Sequence, residues 1–136
     1  MIQPLISICL ALCLMLCLPL QAAESGEATA SPYFAIEDPF TINFLKQSDE
    51  KMRYLQIKVA LKSDDPEIIQ SAQLHLPMIQ DSLRLLFTDQ SYATITSVAG
   101  RELLQQQALE RIRNLLAEET GNDGLEQIFF TRFILQ

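Results

Sequence analysis

The stretch "RYLQIKVALK", Arg53 to Lys62, leaves this chain little freedom. Leu55, Ile57, Val59 and Leu61 stand at every second position, and Tyr54, Gln56, Lys58 and Lys62 alternate with them. A period of two puts the two sets on opposite faces of an extended strand. One face is then apolar and the other wet, which suits an antiparallel sheet covered on one side only. Upstream, "PFTINFL" repeats the pattern, with Phe40, Ile42 and Phe44 on one face and Thr41 and Asn43 on the other. The polar stretch "KQSDEKM" separates the two runs, so they read as a hairpin.

Helical spacing takes over after Lys62. "SDDPEIIQ" opens a helix that Ser63, Asp64 or Asp65 can cap, with Pro66 in the first turn. Ile68, Ala72, Leu76, Ile79, Leu83 and Leu86 form one stripe. Pro77 interrupts it without changing its phase, which predicts a kink, with a break near His75 as the alternative. "TDQSYATITSVAG" reads as a connection with room for a single helical turn. "GRELLQQQALERIRNLLAEE" is the second long helix, with Leu104, Ala108, Ile112 and Leu115 as its core stripe and Leu103 and Leu116 at the edges. The glycines of "TGNDG" stop it.

The chain closes with "IFFTRFILQ", whose only charge is Arg132. It is apolar on both faces, which predicts a strand buried in mid-sheet. Regular alternation puts Phe130, Arg132 and Ile134 on one face and Phe129, Phe133 and Leu135 on the other. A small sheet cannot cover both faces, so Phe130, Arg132 and Ile134 are candidate interface residues. The element order is β-β-α-α-β, an α+β domain with a small antiparallel sheet of about three strands and two helices covering one side.

The first 22 residues stand apart. No Lys or Arg precedes Lys46, and the apolar run Leu5–Leu20 is followed by the small residues of "LQAAES". As a helix the run reaches roughly 24 Å at about 1.5 Å per residue, short of a bilayer core of about 30 Å. Residues 1–22 therefore read as a cleaved signal peptide or as a short membrane anchor. Cys9, Cys13 and Cys17 all lie inside this run, where they read as apolar filler rather than as ligands or disulfide partners. Residues 23–33 read as a flexible leader and 34–136 as the folded domain.

Chemistry-bearing groups are sparse. Net charge is −7, which disfavours nucleic acid and anionic lipid as partners. Contact with a membrane is then expected only through the N-terminal segment, if it is uncleaved. His75 is the single histidine and has no neighbouring nucleophile or second ligand in sequence. "SDDPE" lacks the spaced ligands and mid-loop glycine of a calcium loop, and "GNDG" lacks the strand and lysine of a phosphate-binding loop. Glu118 and Glu119 are adjacent on a helix and diverge by about 100°. The expectation is a non-enzyme with no catalytic residue, cofactor or metal.

Three stretches together resemble the FliL family of flagellar basal-body-associated proteins. They are "PFTINF…RYLQIKVAL", "LPMIQDSLRLLFTDQ…AGRELLQQQALERIRNLL" and the terminal "IFFTRFILQ". The residues that carry the pattern include Phe40, Asn43, Tyr54, Pro77, Gly100, Phe130, Phe133 and Gln136. The resemblance covers about residues 34–136. It implies a periplasmic domain with a stomatin-like fold that assembles as a homo-oligomer around the flagellar motor. Its partners would be stator and motor proteins, and its role would be support of motility and chemotaxis through protein contacts. The N-terminus departs from the family in lacking a basic tail and a full-length transmembrane helix. A soluble periplasmic adaptor with a FliL-like fold and no motor role is the alternative.

Overall fold

The computed structural model describes residues 31–43 and 53–136. The apolar segment 1–22, leader residues 23–30 and the turn "KQSDEKM" lie outside the described residues. No helix among the described residues is long and apolar enough to cross a membrane. The elements are β1 (Tyr33–Ala35), β2 (Phe40–Asn43), β3 (Tyr54–Lys62), α1 (Pro66–Leu74), α2 (Leu76–Thr88), α3 (Tyr92–Thr96), α4 (Val98–Thr120) and β4 (Gln127–Leu135). The chain is an α+β domain with one antiparallel sheet.

Strand β3 is the spine. On one edge it pairs with β2 through Tyr54–Ile57 and with β1 through Ala60–Lys62. On the other edge it pairs with β4 along its whole length. The sheet has four strands but is only three strands wide, because β1 and β2 share an edge. Strand β1 was absent from the sequence reading, since three residues carry no readable period. Leu55, Ile57, Val59 and Leu61 all point into the helix layer and are at most 1 % exposed. Each contributes about 1.5–3 kcal/mol by leaving water, which is why the alternation was so legible.

Strand β4 lies at the edge of the sheet and not in its middle. Its apolar content on the inner face is explained by the helices: Phe130, Phe133 and Leu135 pack against the buried core. Phe87 of α2, fully buried, meets Phe40 edge-on at 5.3 Å and Phe130 at 5.7 Å, so one ring ties both outer strands to the helix layer.

The helices follow their caps. The Asp65 carboxylate accepts the Glu67 N–H at 2.9 Å, and Pro66 follows it at the start of α1. The break at Pro77 is complete, so α1 and α2 are two helices separated by His75 alone. Proline has no N–H to give to the carbonyl four residues back. The apolar stripe still runs through the break, with Ile68, Ala72, Ile79, Leu83 and Leu86 buried.

Helix α4 begins at Val98, earlier than expected, because Ser97 caps it by accepting the Gly100 N–H at 3.0 Å. A Cβ on Gly100 would stand 2.1 Å from the Thr94 carbonyl oxygen, so only glycine lets α3 lie this close to α4. The buried stripe of α4 is Leu104, Ala108, Ile112 and Leu116, with Leu115 only partly buried. Helical spacing alone puts Leu115 nearer the middle of that stripe than Leu116, so packing at the end of α4 and not the period decides for Leu116. The helix stops at Gly121, whose φ of 75° is left-handed and whose N–H reaches the Ala117 carbonyl at 2.9 Å.

Candidate functional site

Among the described residues the helices cover one face of the sheet and leave the other open. Register defines the open face row by row. Asn43, Tyr54 and Gln136 form the first row, and Thr41, Gln56 and Ile134 the second. Lys58 and Arg132 form the third, Ala35, Ala60 and Phe129 the fourth, and Tyr33, Lys62 and Gln127 the last.

This arrangement depends on one irregularity. The pairing jumps from Lys58 opposite Arg132 to Val59 opposite Phe130, so Thr131 is an extra residue on β4. A bulge of this kind shifts the alternation by one position. Phe130 therefore sits with Phe133 and Leu135 on the inner face, their rings Phe130 and Phe133 5.9 Å apart. Phe129 takes its place outside, beside Arg132 and Ile134, and packs against Tyr33 at 6.2 Å. The expected grouping of Phe130 with Arg132 and Ile134 is corrected to Phe129, Arg132 and Ile134. The expected pairing of Phe129 with Phe133 and Leu135 fails for the same reason.

The open face is aromatic and basic. Tyr33 is 52 % exposed, and Tyr54 and Ile134 are each 39 % exposed. Its charged side chains are Lys58, Lys62 and Arg132, and no Asp or Glu stands in any of the rows. Lys62 is neutralised from the sheet's end by Glu126 at 2.9 Å and Asp64 at 3.6 Å. The Lys62 ammonium is held above its ordinary pKa, chiefly by that hydrogen bond to Glu126. Glu126 is held below the ordinary carboxylate value, first by the Asp64 N–H at 2.8 Å and then by Lys62. Lys58 and Arg132 form no ion pair among the described residues, although Glu37 and Asp38 lie in the loop between β1 and β2. The Arg132 guanidinium donates to the Gln56 side-chain oxygen at 3.5 Å.

Side chains of α4 hold β4 in place. Gln105 donates to the Ile128 carbonyl, and Arg113 donates to the Leu125 carbonyl at 2.6 Å and the Glu126 carbonyl at 3.2 Å. The buried Ser63 hydroxyl donates to the Gly124 carbonyl at 3.0 Å. These bonds cover the backbone at the start of β4. Beyond the bulge Arg101 lies over the Phe133 ring at 5.6 Å. Arg53 donates to the Tyr92 hydroxyl and also lies over that ring, tying the start of β3 to α3.

The residues singled out in the sequence gather into rows. Asn43, Tyr54 and Gln136 are neighbours, with Tyr54 and Gln136 exchanging backbone bonds of 2.8 and 2.9 Å. Phe40 and Phe133 flank Ile57 on the inner face. Pro77 and Gly100 stand in the helix layer, near the starts of α2 and α4. Lys58 lies on the wet face that the alternation of its strand gives it, whereas Phe129 was missed as a face residue, because a bulge leaves no trace in side-chain periodicity. Among the described residues no group of three or more His, Cys, Asp or Glu could hold a metal ion.

Comparison with known proteins agrees with the sequence resemblance. The model of the family "Flagellar basal body-associated protein FliL" matches residues 33–136. "Flagellar protein FliL" of Aquifex aeolicus (strain VF5) is 26 % identical over 103 residues, covering 76 % of this chain and 60 % of that protein. "Flagellar protein LafL" of Vibrio parahaemolyticus serotype O3:K6 (strain RIMD 2210633) is 20 % identical over 87 residues, or 64 % of this chain and 52 % of that protein. The chain thus spans little more than half the length of these relatives. With the family model matched over the whole described domain, the chain belongs to the FliL family of flagellar basal body-associated proteins.

Proposed function

We propose that this protein is a non-catalytic accessory component of the flagellar basal body that supports or modulates stator and motor function through protein contacts. The observation that carries this reading is the family match over residues 33–136, together with two flagellar relatives. The working location is the periplasm, with residues 1–22 either removed as a signal peptide or retained as an anchor in the inner membrane. Self-association belongs to the same reading. An open sheet face of exposed aromatic and basic groups supports action by contact rather than by catalysis. Deletion of the gene, followed by swimming and swarming under viscous load, tests the role. Impaired motility restored by the intact gene is the expected result, and unchanged motility would refute it.

A second reading is a free periplasmic adaptor with no motor role. It rests on the apolar run followed by small residues at the N-terminus. Fractionation separates the two models of location. A mature species beginning near Ala23 in the soluble fraction supports the free form, and a full-length species in the membrane pellet supports the anchored one.

A further inference from the structure

We infer that the open sheet face receives an acidic, extended segment of a partner protein, centred on Lys58 and Arg132. The inference rests on the reading that this domain works through protein contacts and names the chemistry of the contact.

Lys58 and Arg132 stand directly opposite each other across β3 and β4. Like charges in that position destabilise a sheet. The chain carries 17 acidic residues against 10 basic ones, so carboxylates were plentiful for either position. Instead two cations share the central row, no carboxylate occupies the rows beside them, and neither cation has an ion-pair partner among the described residues. A carboxylate from outside relieves the repulsion and accepts charge-assisted hydrogen bonds from both groups. The net charge of −7 repels an acidic partner only at long range. Screening at physiological salt ends that repulsion within about 8 Å, so the local pair decides the contact.

The flanking rows define the rest of the ligand. Ile134 lies in the row on one side of the cation pair, and Phe129, with Tyr33 against it, lies on the other. The rows follow one another every two residues along β3, a distance of about 7 Å, although the bulge puts Phe129 three residues from Arg132 on β4. An extended peptide repeats its side chains on one face at the same interval. The face therefore matches the pattern apolar–x–acidic–x–apolar. A second copy of this chain and an anionic lipid surface are the competing occupants.

The probe is the capped peptide Ser-Leu-Ser-Glu-Ser-Leu-Ser, titrated into the uniformly labelled domain and followed by backbone NMR shifts. Shifts centred on Gln56, Lys58, Phe129 and Arg132 are expected. Lys58→Glu and Arg132→Glu should each weaken binding at least fivefold, and Arg132→Gln should do so in part. Replacing the peptide's glutamate with lysine should abolish binding, and raising the salt should weaken it. Arg132→Glu should also raise the melting temperature, because it sets a carboxylate opposite Lys58. Gain of stability with loss of binding distinguishes a recognition pair from a structural one.

Equal binding by the charge-reversed variants, or by the lysine peptide, would overturn the proposal. So would failure of the peptide to bind while the charge reversals dissociate an oligomer in sedimentation, or while they abolish adsorption to phosphatidylglycerol vesicles. None of these readouts uses motility. A deletion strain that swims normally would refute the motor role and leave the chemistry of the face standing.

Discussion

Deleting Thr131 gives the most direct test of how β4 is built. Thr131 is the residue that β4 has in excess over β3 between the pairs Lys58–Arg132 and Val59–Phe130. Its removal joins Phe130 to Arg132 and leaves a regular ladder with every remaining partner unchanged. Phe130 and Ile128 stay in the core, and Phe129 stays outside. The loss is confined to the local twist that a bulge imposes, so the expected cost is under about 1.5 kcal/mol. In a regular strand the outcome would be different. Removing one residue would turn every side chain from Gln127 to Phe130 over to the opposite face. Two large apolar side chains would leave the core at about 1.5–3 kcal/mol each, and ill-fitting replacements would add about 1–3 kcal/mol. The resulting loss of about 4–9 kcal/mol rivals the whole stability of an average domain, about 5–15 kcal/mol. Urea unfolding followed by far-ultraviolet circular dichroism separates the two. Deleting Phe133 shortens the strand equally and serves as the control, since it removes a ring packed on Phe130 and should abolish cooperative unfolding. If the Thr131 deletion costs more than about 3 kcal/mol, or unfolds without a transition, the bulge reasoning is wrong.

Other expectations follow from individual contacts. Phe87→Ala removes a fully buried ring that touches Phe40 and Phe130, and should cost about 3–5 kcal/mol in chemical denaturation. Gly100→Ala gains about 1 kcal/mol of helix propensity, but its Cβ would meet the Thr94 carbonyl at 2.1 Å. A net loss of about 1–3 kcal/mol is expected from that crowding, and a melting temperature at or above the parent's would refute the close approach of α3. Glu126 has a folded pKa below its ordinary 4.5, so its contribution is present above that pH and is lost as pH falls through the folded value. Glu126→Gln should therefore flatten the acid limb of a stability-against-pH curve while leaving the neutral region's slope unchanged.

The residues differ in how much they disclosed before folding. Strand β3 was legible because both its edges are paired and its whole inner face is buried, which imposes strict alternation. Helix α4 was legible because Leu104, Ala108 and Ile112 must all meet the sheet side of one straight helix. The FliL pattern was readable in the sequence for a related reason. Asn43, Tyr54 and Gln136, and likewise Phe40 and Phe133, are distant in sequence but form rows across the sheet, where each side chain restricts its neighbours.

What the sequence by itself determined is thus the class of fold, the central strand, the long helix and the family. Tertiary structure alone decided three things. It set β4 at the edge of the sheet, because the helices bury its inner ring faces without a further strand. It added β1, three residues whose pairing with Ala60–Lys62 comes from the partner strand and not from any period of their own. It chose the candidate surface, because one extra backbone residue at Thr131 exchanges Phe130 for Phe129 on the open face. Periodicity counts residues, whereas a face is set by which backbone groups are paired, and the two differ wherever a ladder skips.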